Sequence, residues 1–283
     1  MGLRPGNALC GGEQSAAQTP ETASAPASPT TASSLPAPAS IDCKRDALFL
    51  DFDGTLAEIA PAPNLVAFTP EARAVLETLE QCFSGALAIV TGRQVSEIDH
   101  HLAPLKLPVS ALYGLVHRSS DGAISDLRPP GTRVAHASAV LKKFVEQHPG
   151  LLLELKGQTI ALHYRARPEM GHACRAAARA ALDGEQGLKL IDGKMVVEIA
   201  PAEADKGRAV LTFLDEPPFF GRRPVYIGDD VSDEAAFKVA QELGGVAIKI
   251  GRGRTAAQYR AADNADILQW LRAVAANAGR KVS

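Results

Sequence analysis

Short apolar runs that stop at polar residues recur along this chain and alternate with segments of helical periodicity. Residues 47–50 are apolar at consecutive positions and end at Asp51, the pattern of a strand buried on both faces. Thr69, Pro70 and Glu71 then supply a cap, a proline for the first helical position and an acid for the first turn. Ala72, Val75, Leu76 and Leu79 follow at helical spacing. A second buried-type strand is predicted at 85–90, ending at Thr91, and a helix follows through Val95, Ile98 and Leu102. Residues 110–115 read as a third strand. Strand alternating with helix implies a parallel sheet with helices on its faces.

The middle of the chain has a different texture. A helical pattern (Val134, Ala137, Leu141, Phe144, Val145) leads into two adjacent strand-like runs, 151–156 and 158–165. A helix over about 169–182 precedes a predicted hairpin, 188–191 and 194–199, with Asp192-Gly193 as its turn. Helix and hairpin, twice repeated, suggest a small α+β module over 119–203. The first texture then returns: helix 206–214, strand 224–227, helix 233–243, strand 245–250, helix 265–276. The predicted class is therefore α/β, a doubly wound, mostly parallel Rossmann-like sheet built from 41–118 and 204–283, interrupted by an inserted α+β cap at 119–203.

Composition narrows the function classes. The first 40 residues hold 25 Ala, Pro, Ser or Thr and only three charges, Arg4, Glu13 and Glu21, so a disordered leader is expected over 1–40. At 46% hydrophobic and 22% charged, with a net charge of −2, the 283-residue chain shows no basic stripe of the kind a nucleic-acid binder carries. The apolar runs are too short to span a bilayer, and with no apolar stretch of signal-peptide length behind Arg4 a secretory signal is not expected. The four cysteines, Cys10, Cys43, Cys82 and Cys174, form no C-x-x-C pair, which suggests free thiols in the cytoplasm.

The candidate chemistry lies at the ends of the predicted strands, the edge where open α/β sheets bind ligands. Asp51-Phe52-Asp53-Gly54-Thr55 aims two carboxylates at one small volume, and Gly54 lets backbone amides approach an oxyanion. Thr91-Gly92-Arg93 adds a hydroxyl, a close-approach glycine and a guanidinium suited to a phosphoryl group. Gly228-Asp229-Asp230, with Asp233 following, would give with Asp51 the oxygen-rich, octahedral-type site that magnesium prefers. Lys206, opening a helix beside Gly207, is a candidate counter-charge for that cluster. Each feature alone is also an ordinary acidic turn, strand-to-helix turn, helix cap or solvated lysine. In the module, strand parity puts Glu154 with Lys156, and His163 with Arg165, opposite the apolar Leu153, Leu155, Ile160, Leu162 and Tyr164. Glu198 lies between Val197 and Ile199. A polar face of this kind is either simply solvated or able to bond several hydroxyls of a disaccharide.

Taken in order, D-x-D-G-T, the strand-end Thr, the Lys and G-D-D-x-x-D resemble the haloacid-dehalogenase-like phosphohydrolases over about 46–275. The resemblance implies Asp51 as nucleophile, Asp53 as general acid and base, and Thr91 and Lys206 as holders of the phosphoryl group. It also implies Mg2+ bound by Asp51, the Asp53 carbonyl and Asp229, with Asp230 and Asp233 in support. Glu154-x-Lys156, Ala161-Leu-His-Tyr-Arg165 and Val197-Glu198 ahead of Lys206-Gly207 look further like bacterial trehalose-6-phosphate phosphatases. That likeness implies Glu154, Lys156 and Glu198 as grips on glucose hydroxyls, with Gly92, Arg93 and Arg165 as further substrate contacts. It implies trehalose 6-phosphate as substrate and a functional link to a trehalose-6-phosphate synthase. The chain departs where the family often reads His-Gly-Ala-Glu: here Tyr113, Gly114, Leu115 and Val116 precede His117-Arg118, and only the glycine matches. That departure keeps open a phosphatase for another sugar phosphate, such as sucrose 6-phosphate. A receiver-like phospho-aspartate sensor is the alternative of another class.

Overall fold

The computed structural model describes residues 41–60, 65–130 and 134–280, together with Gly2. The leader expected over 1–40, Cys10 included, lies outside the described residues apart from Gly2. The chain divides into Met1–Ser33 and Ser34–Ser283, and everything below belongs to the second unit.

The elements are β1 (Asp46–Leu50), α1 (Pro70–Cys82), β2 (Leu87–Val90), α2 (Val95–Leu102), β3 (Val109–Ala111), β4 (Val116–Arg118) and β5 (Ile124–Asp126). They continue with α3 (Ala135–Glu146), β6 (Leu152–Leu155), β7 (Ile160–His163), α4 (Gly171–Ala181), β8 (Leu188–Gly193) and β9 (Val196–Pro201). Last come α5 (Lys206–Leu214), β10 (Arg223–Gly228), α6 (Glu234–Glu242), β11 (Val246–Ile250), β12 (Tyr259–Ala261) and α7 (Asn264–Arg280). The strands form an eight-stranded sheet, β12-β11-β10-β1-β2-β3-β4-β5, and a separate four-stranded sheet, β6-β7-β9-β8.

In the large sheet every pair from β12 to β3 is parallel, while β4 and β5 run antiparallel at one edge. This is the expected α/β, doubly wound, mostly parallel class. Helices α1 and α7 pack on each other, as do α5 and α6; the right-handed crossovers that parallel sheets favour would put the two pairs on opposite faces. Strands β1 and β2 are consequently buried at every position, which is why they read as unbroken apolar runs. The strand order reverses between β1 and β10, the switch point at which such sheets open a crevice beyond their carboxyl ends. Asp51 follows β1 directly, Asp229 follows β10, and the Asp51 amide donates to the Ile227 carbonyl at 2.9 Å.

Three local readings are corrected. The strand expected at 110–115 stops at Ala111: Leu112 (φ 50°) and Tyr113 (φ 60°) are both left-handed and turn the chain back as β4. Strand β5 extends the large sheet to Asp126, past the position 119 where the inserted module was expected to begin. The turn of the second hairpin falls at Lys194-Met195, not Asp192-Gly193, since Asp192 pairs with Val197 and Gly193 with Val196. Gly193 serves close approach there: a Cβ would lie 3.1 Å from Asp230 Oδ2 and 2.8 Å from Val196 Cγ1.

The small sheet is antiparallel throughout, with α3 and α4 packed on one face. Its own core includes Leu141, Ile160, Leu162, Cys174 and Ile199, with Leu153 alongside. Leu155, expected on the same apolar face, is exposed at the end of the edge strand β6. Cys43, Cys82 and Cys174 are free thiols. Among the described residues no helix is long and apolar enough to cross a membrane.

Candidate active site

The crevice between the two sheets is a solvent-open cleft of about 670 Å³. Its floor comes from loops that follow β1, β2, β3 and β10, and its roof from the bare face of the small sheet. All the substrate and catalytic residues expected from the sequence line it, namely Asp51, Asp53, Thr91, Gly92, Arg93, Glu154, Lys156, Arg165, Glu198 and Lys206, as do Asp229 and Asp230. Asp233 lies behind it, fully buried.

At the floor, Lys206 Nζ donates to Asp51 Oδ1 and to Asp233 Oδ1, each at 2.7 Å. Asp205, the residue before Lys206, caps α5 by accepting from the Arg208 amide at 2.9 Å, so the ammonium leaves the helix at a fixed point. Burial opposes the Lys206 charge, but Asp233 and Asp51 outweigh it and hold its pKa well above the ordinary lysine range. Burial, with Asp233 and Asp229 adding to it, pushes the Asp51 carboxyl well up despite Lys206.

Asp229 is also pushed up by burial, against the pull of Lys194 and with Asp233 adding to it. Lys194 reaches down from the hairpin turn: its Nζ donates to Asp229 Oδ2, and its amide donates to Asp230 Oδ2 at 2.7 Å. Gly54 (φ 79°) is required beneath this pair, because a Cβ there would stand 1.9 Å from Asp229 Oδ2.

Acidic oxygens from Asp51, Asp229 and Asp233 lie within 4.8 Å of one another. Both Asp233 oxygens are engaged internally: Oδ1 accepts from Lys206 and from the Tyr226 hydroxyl (2.8 Å), Oδ2 from the Asp229 and Asp230 amides (2.9 and 2.8 Å). Asp51 and Asp229 are thus the side chains able to hold a cation, and Asp233 anchors them. Carboxylate oxygens clustered where burial and one another's charge work against ionisation fit a hard divalent cation such as Mg2+, whose charge would offset theirs.

The Asp53 carboxylate is engaged away from the acidic cluster. Its two oxygens accept from Arg93 Nε (2.6 Å) and Nη2 (2.8 Å), a bidentate pair, and Arg93 Nη1 also donates to Glu97 at 3.1 Å. Arg93, expected as a substrate contact, lines the cleft and also holds Asp53. Thr91 is buried, its Oγ1 accepting from the Arg93 amide at 3.2 Å.

On the roof, Glu154 lies opposite Ala161, and Ala161 opposite Glu198. Successive pairing puts all three on one face, and the small Ala161 leaves room between the carboxylates. Glu154 Oε2 is 3.0 Å from His163 Nε2, while Lys156 Nζ stands 3.5 Å from Glu154, 4.0 Å from Glu198 and 3.3 Å from the Gly92 carbonyl. The Lys156 ammonium thus bridges roof and floor. Arg165 Nη1 donates to the Ala60 carbonyl at 2.6 Å. Three buried atoms of this wall, Glu198 Oε2, Arg165 Nε and His163 Nδ1, have no hydrogen-bond partner among the described residues.

Sequence reasoning did not single out Lys194 as a site residue. A lysine at a turn reads as solvated, and only the two-residue shift of the hairpin brings it to Asp229. Tyr113 stood out as a departure but was given no role; its hydroxyl donates to Glu198 Oε1 at 2.7 Å.

The profile described as Trehalose-phosphatase matches residues 49–265. The trehalose-6-phosphate phosphatase of Escherichia coli (strain K12) is 38% identical over 225 residues, 80% of this chain and 85% of that protein. A probable trehalose-phosphate phosphatase of Sinorhizobium fredii is 40% identical over 213 residues, covering 75% and 80% respectively. Among solved structures, the C-terminal domain of the C. albicans trehalose-6-phosphate phosphatase superposes with a TM-score of 0.73 at 20% identity, over 82% of this chain and 93% of that one, a likeness of fold. A profile spanning both the floor motifs and the roof, with bacterial relatives matching most of their own length, settles the affiliation: the chain belongs to the trehalose-phosphatase family of phosphoric monoester hydrolases.

Proposed function

We propose that this chain hydrolyses trehalose 6-phosphate to trehalose and inorganic phosphate through an aspartyl-phosphate on Asp51. The observation that carries this reading is that two buried polar atoms of the roof, Glu198 Oε2 and Arg165 Nε, make no hydrogen bond among the described residues, Lys156 Nζ standing only at ion-pair distance from Glu198 Oε2, 4.0 Å. A buried polar group without a partner costs about 1–3 kcal/mol, and one is an acceptor while the other is a donor. A ligand rich in hydroxyls, each both donor and acceptor, relieves both. The phosphoester end then lies towards Asp51, Thr91 and Lys206.

In this mechanism Asp51 Oδ attacks phosphorus as the bond to the sugar oxygen breaks, which divides one difficult hydrolysis into two steps. Lys206 and Thr91 hold the phosphoryl oxygens as charge builds. Asp53 gives a proton to the leaving sugar oxygen and later takes one from the attacking water. To do so it gives up one of its two Arg93 bonds, takes a proton from solvent on the freed oxygen and hands that proton to the leaving oxygen, while the other Arg93 bond keeps its orientation. Mg2+ held by Asp51, Asp229 and the Asp53 carbonyl would neutralise phosphoryl charge. The four-stranded module, within the expected 119–203, acts as the cap that selects substrate. A glycosyl-transfer step supplies the substrate, the proposed link to a trehalose-6-phosphate synthase. The cytoplasm, where sugar phosphates and free thiols coexist, is the proposed compartment.

The test is phosphate release from a panel of sugar phosphates. Trehalose 6-phosphate is expected to lead sucrose 6-phosphate and the hexose phosphates by more than about tenfold in kcat/KM, the worth of one or two good polar contacts. Preference for another panel member would reject the substrate and keep the reaction class. A stable acyl-phosphate without turnover would instead mark a sensor. Chelation with EDTA is expected to remove activity, and Mg2+ to restore it; full activity after chelation would contradict the metal assignment.

A further inference from the structure

Tyr113 follows β3 and lines the cleft where floor meets roof. Its left-handed backbone (φ 60°, ψ 38°) is uncommon for a bulky residue, and strain of this kind persists where surrounding contacts fix it. Those contacts tie together separate parts of the floor. The Tyr113 amide donates to the Thr91 carbonyl at 2.9 Å, and its carbonyl accepts from the Asp205 amide at 2.6 Å, next to Lys206. The ring lies so close to Gly92 that a Cβ there would meet it at 2.5 Å, and Lys206 Nζ is 5.9 Å from the ring centroid.

From this fixed base the hydroxyl crosses to the roof and donates to Glu198 Oε1 at 2.7 Å. Burial, reinforced by the adjacent Glu198 carboxylate, pushes the phenol pKa well up, so the proton stays on the tyrosine and the direction of the bond is fixed. Glu198 is only 5% exposed. With Oε1 committed to Tyr113, its Oε2 is the oxygen left buried without a hydrogen bond among the described residues.

We propose that Tyr113 is a positioning residue for substrate selection: its hydroxyl clamps Glu198 so that Oε2 is presented to one hydroxyl of the sugar. This rests on the reading of the site as a sugar-phosphate phosphatase. Its consequence is that disaccharide recognition depends on a residue of the catalytic floor as well as on the cap, and that sugar docking is coupled to the loop carrying Thr91 and Gly92.

The experiment compares kcat and KM of the full-length wild type, Tyr113→Phe, Glu198→Gln and the double variant. The substrates are trehalose 6-phosphate and p-nitrophenyl phosphate, a phosphate ester without a sugar. Tyr113→Phe keeps the ring against Gly92 and loses only the hydroxyl. Its ratio of kcat/KM values for the two substrates is expected to fall about tenfold, mainly through KM for the sugar phosphate. A general loosening of the site would lower both substrates alike. The double variant is expected to lose little more selectivity than Glu198→Gln alone. A selectivity ratio within twofold of wild type, or losses that multiply in the double variant, would overturn the proposal. Wild-type enzyme that does not favour trehalose 6-phosphate among sugar phosphates would overturn the underlying substrate reading and this inference with it. Glu198→Gln probes the same pair from the cap side should the Phe variant fold poorly.

Discussion

Replacing Asp51 by asparagine is expected to lower turnover by at least about 10⁴-fold and leave the chain folded. The side chain keeps its shape and can still accept from Lys206, but its amide carries no carboxylate oxygen able to attack phosphorus. The stability side of the expectation follows from the site's electrostatics. Asp51 is buried, and burial together with Asp233 and Asp229 works against its charge. Lys206 has a second carboxylate, Asp233, at 2.7 Å, so neutralising Asp51 does not leave the ammonium unpaired. Thermal denaturation of Asp51→Asn is therefore expected at or slightly above the wild-type temperature, as for a group retained for function at some expense of stability. Steady-state phosphate release and a melting curve check both halves. More than about 1% residual activity would contradict the nucleophile assignment; a folded, inactive protein supports it.

The core was legible because its physics is local. A strand buried on both faces has to be apolar at every position, so 47–50 and the 85–90 run stood out, and Thr69-Pro70-Glu71 marked the start of α1, where the Thr69 hydroxyl accepts from the Ala72 amide at 3.1 Å. The segments that escaped are short or non-local. Strands β4, β5 and β12 have three residues each, too few to show a period. The reversal at Leu112 and Tyr113 uses left-handed backbone at residues whose identity gives no sign of it. Asp192-Gly193 is a strong turn signal, yet both residues pair within the ladder and the turn lies two positions further on.

The site shows the same division. Residues directly after strands fall at the switch point by topology alone, so Asp51, Thr91 and Asp229 could be placed from sequence. Parity along two strands was enough to put Glu154 and His163 on one face, where they lie 3.0 Å apart. What an ion pair chooses as partner is not periodic. Arg93 has chemistry suited to a phosphate or sugar, and its sequence position gives no sign that Asp53 lies at bidentate distance across 40 positions of chain. Lys194 on Asp229 and Tyr113 on Glu198 likewise join residues 35 and 85 positions apart. Contacts between floor and roof depend on how two sheets face each other, which no segment of sequence encodes alone.

Asp233→Ala is expected to be the most damaging single change outside the reacting groups, acting on stability and activity together. The carboxylate makes four hydrogen bonds: to Lys206 Nζ, the Tyr226 hydroxyl and the Asp229 and Asp230 amides. Removing one member of a buried ion pair costs about 3–5 kcal/mol, because the partner remains buried. For a chain of this size that corresponds to a melting temperature lower by about 10 °C. Lys206 would keep only Asp51, and the loop presenting Asp229 would lose both amide anchors, so turnover is expected to fall by at least about 100-fold through lost geometry. Asparagine should not rescue it. Asp233 accepts all four bonds, two at each oxygen, whereas an Asn amide nitrogen would face either the Lys206 ammonium or the two backbone N–H groups, donor against donor. Calorimetry and phosphate release on Asp233→Ala and Asp233→Asn check this. A melting temperature within about 2 °C of wild type in either variant would show that the four bonds do not anchor the loop, and activity retained by Asp233→Asn would show that the charge and acceptor pattern are dispensable.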